Sequence, residues 1–205
     1  MLGAYSTGLA EWEYTDDDSI IFCHDDIHIL LREEVFNAIV DSHLDMPNTG
    51  FIGIAGCRSL GKFAKDANWY ANINPRHFDG SEGGGQVWQG TEYSSLRIGA
   101  FASPAYMWYG INDKAVLMDG VFLAAKGSTV RAISFISPSL LKSKWHNYDA
   151  LMTFQAHMKG KVNRIAPICI MHESTGGYAS EHYQEDVQMF MQLFSKWLPT
   201  EVVVN

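Results

Sequence analysis

The sequence predicts an α/β fold, with a largely parallel mixed sheet flanked by helices. Three observations carry that expectation. Short apolar runs rich in β-branched and aromatic residues, among them "SIIFC", "FIGIAGC" and "RIAPICIM", read as buried strands. Between them lie longer segments with apolar residues at helical spacing. The two kinds alternate along the chain, as in strand–helix–strand units. At 205 residues the chain has the length of a single domain, 1–205, large enough to bury a sizeable core.

Taken in order, "GLAEWEY" reads as a short helix. "SIIFC" is a strand that ends abruptly in His24-Asp25-Asp26. "LLREEVFNAIVDSH" is amphipathic, with Leu31, Val35, Ala38 and Ile39 on one face and charges opposite. "FIGIAGC" is the second strand. Residues 62–91 are glycine-rich and short of helical period, so they read as a long excursion, either a hairpin or a lid. Its "SEGGGQ" reads as a flexible connection, because a P-loop would also need Lys-Ser/Thr and a strand-to-helix setting. "AVLMDGVFLAA" splits two apolar runs around Asp119-Gly120. "KWHNYDALMTFQAHMKG" is helical, with Trp145, Tyr148 and Met152 one turn apart and Gly160 as its stop. "RIAPICIM" is the third strand and ends in "HESTGG". A last helix over 180–198 presents Val187, Phe190, Met191, Phe194 and Trp197 on one face.

Composition narrows the function. Lys and Arg number 15 against 23 Asp and Glu, a net charge of -8, which argues against a nucleic-acid binder. Phosphate-bearing small molecules stay open, because a bound cation inverts the local field. The three cysteines, Cys23, Cys57 and Cys169, lack zinc-type spacing, and Cys23 and Cys169 sit in apolar runs as buried thiols would. That usage points to a reducing, cytoplasmic compartment. The start of the chain lacks a basic, apolar leader pattern, and no apolar run approaches the ~20 residues of a membrane span.

Three polar clusters fall at or near strand ends: "HDD", "MDG" and "HESTGG". In α/β sheets ligands bind beyond the carboxyl ends of strands, so the three can converge on one site. His24, Asp25 and Asp26 form an oxygen-rich corner suited to Mg²⁺ or Mn²⁺, the latter accepting imidazole as well; a polar turn leading into the next helix is the alternative. His172 is a second ligand type at a strand end, or a histidine merely satisfied by its neighbours. Ser174, Gly176 and Gly177 follow it in a turn whose N–H groups could meet phosphate. Asp149, near a helix start, either answers the helix dipole or acts as a general base. His157 reads as structural. Trp69 and Tyr70 suit either ligand stacking or core packing.

The ordered set "AYSTGL", "IIFCHDD", "GFIGIAG", "ANWY", "MDGVFLAAK", "WHNYDALMTFQAHMKGKV" and "ICIMHESTGG" resembles the glycosyltransferase-like branch of the family 2 glycosyltransferases. Nearly the whole chain takes part in the likeness. Ser6 stands at the Asn of that family's Tyr-Asn-x-Gly-Leu element, and Leu151 at a second acidic position of its Tyr-Asp-x-Asp element. The resemblance implies a GT-A fold whose N-terminal nucleotide-binding part is shortened, since 23 residues precede His24. It implies metal-dependent transfer of a sugar from a nucleoside diphosphate donor, UDP first, to a hydroxyl of a glycan or other acceptor, with inversion. Asp26 and His172 would hold the divalent metal. Ser6, His24, Asp25 and Asp119 would lie on the donor side, His24 toward the ribose and Asp119 near the sugar. Asp149 would be the base. Two rivals follow from the same residues: a relative that binds sugars without transferring them, and a metal-dependent hydrolase.

Overall fold

Two mixed sheets share the core, and the chain crosses from one to the other several times. The computed structural model describes residues 2–62, 66–73, 82–89, 105–133, 142, 146–173 and 182–202. Helix α1 (Leu2–Glu11) leads into β1 (Ser19–Cys23), β2 (Ile27–Ile29) and helix α2 (Glu33–Leu44). Strands β3 (Thr49–Gly53), β4 (Ala55–Cys57) and β5 (Ser59–Leu60) follow almost without a break, then β6 (Gly83–Gln89) and β7 (Ala105–Ile111). Next come β8 (Lys114–Ala115), β9 (Leu117–Met118), β10 (Phe122–Lys126) and the short helix α3 (Gly127–Ala132). Helix α4 (Tyr148–Met158), β11 (Val162–Ile165), β12 (Ile170–His172), helix α5 (Tyr183–Leu193) and β13 (Thr200–Glu201) complete the described elements.

The first sheet has the order β1-β10-β3-β11-β8, the second β2-β12-β6-β4-β9, with β7 also on β6; β13 and β5 form a separate pair. The class is α/β, as alternation predicts. The largely parallel sheet is not what forms: among the described pairings only β11 with β3 and β12 with β6 are parallel. The reason is local. From β3 to β5 and from β7 to β10, consecutive strands are joined by connections too short to hold a crossover helix, and such connections return the chain antiparallel or pass it to the other sheet.

Those passages position the site. The chain leaves the first sheet for the second between β1 and β2, at His24-Asp25-Asp26, and again between β3 and β4, at Ile54. It comes back for β8, leaves again at Val116, returns between β9 and β10, at Asp119-Gly120-Val121, and leaves once more between β11 and β12. "RIAPICIM" is thus two strands in different sheets, broken around Pro167, which has no N–H to give a ladder. Backbone bonds tie the passages together. The His24 N–H donates to Val121 O (3.1 Å), and the Glu173 N–H donates to Asp26 O (2.9 Å).

Burial corrects several expectations. β1 lies at the edge of the described sheet, so only Phe22 of its five residues is buried and Ile21 is exposed. The central strands β3 and β10 hold the core instead, with Phe51, Ile52, Phe122 and Leu123 fully enclosed. In α2 the inward face is Phe36, Ile39, Val40 and Leu44, while Val35 and Ala38 face solvent. Helix α4 is buried from Ala150 to Ala156 and stops at Gly160, which adopts φ +78°; Trp145 lies outside the described residues. In α5, Val187 and Phe190 are buried as expected and Phe194 follows them inward, whereas Trp197 is largely exposed. Cys57 is buried, its thiol donating to Ser59 O (3.2 Å), but Cys23 is exposed because its strand is an edge.

The glycine run is the largest departure. "GGGQ" opens β6, a strand paired on both sides by β4 and β7. A Cβ at Gly85 would lie 1.9 Å from Ile54 O, and Gly85 itself has φ +94°. These glycines let three backbones approach closely, which is a use of glycine distinct from flexibility. Of the excursion expected over 62–91, residues 63–65, 74–81 and 90–91 lie outside the described residues.

Candidate metal and acid–base site

Three side chains meet where the sheets join. His24 and Asp26 stand just beyond the end of β1, in the turn that leads to β2, and the turn brings both side chains toward His172. His172 ends β12, antiparallel to β2. The His24 Nδ1 and His172 Nε2 atoms are 3.2 Å apart, His172 Nε2 lies 3.2 Å from Asp26 Oδ1, and His24 Nδ1 lies 3.8 Å from the same oxygen. A point equidistant from the three atoms lies about 2 Å from each, the bond length of a divalent cation to nitrogen or carboxylate oxygen (~2.0–2.2 Å). Asp26 Oδ1 is buried and makes no hydrogen bond, and His172, 4% exposed, has no partner at Nδ1. A buried carboxylate oxygen without a hydrogen bond is costly unless a cation, here a metal ion or a protonated imidazole, or a proton joins it. The donor set therefore fits a divalent cation, and two imidazoles with one carboxylate suit Mn²⁺ better than Mg²⁺.

Burial and the neighbouring His172 hold the His24 imidazole below its usual pKa, against the opposing pull of Asp119, Asp26 and Asp25. A neutral ring is the form that ligates a metal. Asp25 is exposed on the turn and offers no atom to the triad. His28 and Glu173 pair beside it at 2.7 Å.

The second half of the site is built on α4 and the Asp119-Gly120 corner. Tyr148, at the first position of α4, is buried, and its Oη lies 2.9 Å from His24 Nε2 and 2.9 Å from Gly120 O. The Gly120 N–H donates to Asp149 Oδ2 (3.1 Å), and the Ala150 N–H donates to Asp149 Oδ1 (2.8 Å). Burial, and then the charge of Asp119, push the Asp149 carboxyl up to about 7, although those two N–H groups favour its ionised form. Asp119 accepts from Trp69 Nε1 (3.1 Å) and from the Val121 N–H (2.9 Å), so it is fixed in place. Burial pushes the Tyr148 hydroxyl far above its usual range and that of Tyr5 up to about 12, so both remain protonated.

Of the residues the sequence singled out, His24, Asp26 and His172 form one group, and Asp119 and Asp149 form another, linked to it through Tyr148. Ser6 belongs to α1, but its side chain lies outside the described residues, as do Ser174, Gly176 and Gly177. Its neighbour Tyr5 packs edge-on against Phe22 and Tyr148, which brings α1 to the site. His24, expected toward a ribose, stands in the triad itself. In the sequence Tyr148 is marked only as part of a helix face and Gly120 only as part of a strand break. The available signal was their adjacency to Asp149 and Asp119. Trp69 is buried, which favours packing over stacking for that ring, while Tyr70 is exposed.

Among the described residues no helix is long and apolar enough to cross a membrane. Compared with protein-family models and with curated protein sequences, the chain matches none.

Proposed function

We propose that the protein is a metal-dependent glycosyltransferase of GT-A type, moving a sugar from a nucleoside diphosphate donor, UDP first, to an acceptor hydroxyl with inversion. The support is one juxtaposition: a His24–Asp26–His172 group spaced for a divalent cation, joined through Tyr148 and Gly120 to a carboxyl whose pKa lies near 7. A cation held there supplies positive charge facing a diphosphate leaving group. Asp149 takes the proton of the acceptor hydroxyl as that oxygen attacks the anomeric carbon. The bond from that carbon to the diphosphate oxygen breaks, and its electron pair leaves with the diphosphate. A base with a pKa near 7 is half ionised at neutral pH and strong enough to accept a hydroxyl proton as it leaves. Burial, and then Asp119 fixed beside it, keep that pKa high, and Asp119 would stand near the donor sugar.

The test is calorimetric titration of UDP and GDP, with Mn²⁺ and after chelation, on the wild type and Asp26→Ala. Manganese-dependent UDP binding that disappears in Asp26→Ala is the expected result, followed by sugar transfer in an acceptor screen. Absence of nucleotide binding under every condition would sink the transferase. Donor cleavage at full rate without any acceptor would make the protein a hydrolase instead.

A further inference from the structure

Tyr148 occupies a position that acid–base or metal chemistry alone does not require. Its hydroxyl carries one hydrogen and has two neighbours besides His24, the Tyr5 hydroxyl and, at 2.9 Å, Gly120 O; a carbonyl can only accept, so that hydrogen points to Gly120 and away from His24. His24 Nε2, 2.9 Å from the same oxygen, must then be the donor in its contact. A neutral imidazole carries one hydrogen, so with Nε2 protonated, Nδ1 keeps its lone pair. Nδ1 is the atom that faces His172 Nε2 and Asp26 Oδ1.

We infer that Tyr148 is a positioning residue: its hydroxyl, pinned by Gly120, locks His24 as the Nε2–H tautomer and thereby aims a free Nδ1 lone pair at the cation position. The inference deepens the metal-dependent reading and rests on it. The pin is tight on both sides. A Cβ on Gly120 would lie 2.3 Å from Tyr148 Oη, so the hydroxyl reaches its place only because that residue is glycine. The phenol ring is held by Tyr5 edge-on at 5.6 Å, and the ring would stay there without the hydroxyl. The same glycine gives its N–H to Asp149, so one residue registers the histidine ligand and the carboxyl against each other. Hydrogen bonds of this type to the far nitrogen of a metal-binding imidazole are worth roughly 10–100-fold in metal affinity.

The experiment is a pair of measurements on the full chain, wild type and Tyr148→Phe. In the metal-free protein, long-range ¹H–¹⁵N spectra of His24, assigned with His24→Gln, read the tautomer directly. The expected wild-type pattern is protonated Nε2 with unprotonated Nδ1, and Tyr148→Phe loses that preference. Titration with Mn²⁺ alone should then show a ~10–100-fold weaker Kd in Tyr148→Phe. A wild-type His24 carrying its proton on Nδ1, or a folded Tyr148→Phe with unchanged tautomer and unchanged Kd, would overturn the inference. The wild-type spectrum can overturn the inference even if the variant does not fold. Failure of the wild type to bind Mn²⁺ counts against the metal-dependent function, while the tautomer still decides the role of Tyr148.

Discussion

Asp149 shows how a single carboxyl can be expensive and useful at once. Its pKa of about 7 in the fold compares with 3.8 in an exposed carboxyl, so the folded state holds this proton more tightly than the unfolded chain does. The contribution to stability is complete below pH ~4 and is lost as the pH rises through about 7. Each unit of pH within that window costs ~1.4 kcal/mol, or about 2–3 kcal/mol between pH 5 and 8. Asp149→Asn removes the titration while keeping an oxygen for the Gly120 N–H. Relative to the wild type, the variant should therefore gain about 2–3 kcal/mol between pH 5 and 8, read from urea unfolding at the two values. Parallel pH dependence of the two proteins would mean the carboxyl is ordinary. In the proposed transferase reaction, with Asp149 as the proposed base, the same substitution should lower sugar transfer by roughly 10²–10⁴-fold. Metal and nucleotide binding should persist, since Asp149 contributes no atom to the triad. Stability gained where activity is lost marks a group retained for chemistry.

At the level of elements, β6 shows why part of the fold could not be read from the chain. That "FIGIAGC" is extended and that the chain breaks at Asp119-Gly120 were legible, because burial of β-branched and aromatic residues leaves a local pattern; the passage at Ile54 that divides "FIGIAGC" between two sheets was not. The helices were legible too, although α2 turned a neighbouring face inward: which stripe is buried depends on where β3 and β10 lie. The glycine run carries no such pattern. Its strand exists because Ile54, Tyr109 and Asn112 bring carbonyls to within 2.2 Å of where Cβ atoms would stand, and those partners are distant in sequence. Gly85→Ala should accordingly destabilise the protein by more than about 3 kcal/mol, from a blocked approach added to a positive φ. Gly160→Ala, with open space around its Cβ but also a positive φ, should cost only ~1 kcal/mol. The two midpoints in urea separate close approach from conformational strain; equal losses would show that strain alone decides. The candidate site divides in the same way. His24, Asp26 and His172 stood out as titratable groups at strand ends, whereas Tyr148 gained its role only from contacts with residues 28 and 124 positions away.

Across the whole molecule the triad lies on a seam. His24 follows a strand of the first sheet, His172 ends a strand of the second, and Asp26 sits in the passage between them. Among the described residues the links across this corner are short-range: the His24 N–H to Val121 O and Glu173 N–H to Asp26 O bonds, the three-residue β2–β12 ladder with the Leu30 N–H to Cys169 O bond, and the exposed His28–Glu173 pair. β2 is three residues long with Ile29 and His28 exposed, so little apolar burial secures it. Segments of this kind open locally at less than the global free energy. A cation bound by all three side chains would close that opening, because it binds the assembled corner and not the separated strands. The stabilisation follows from mass action, about 2.7 kcal/mol at a free Mn²⁺ concentration one hundred times Kd. Amide hydrogen exchange should therefore slow in β2, β12 and the 24–26 turn at Mn²⁺ concentrations that leave the β5–β13 pair unchanged, and the thermal midpoint should rise with Mn²⁺. Asp26→Ala and His172→Ala should abolish both effects. A midpoint indifferent to Mn²⁺ in the wild type would reduce the triad to a hydrogen-bonded corner. Slowing confined to the seam would identify the joint between the sheets as the place where ligand binding and folding stability are one equilibrium.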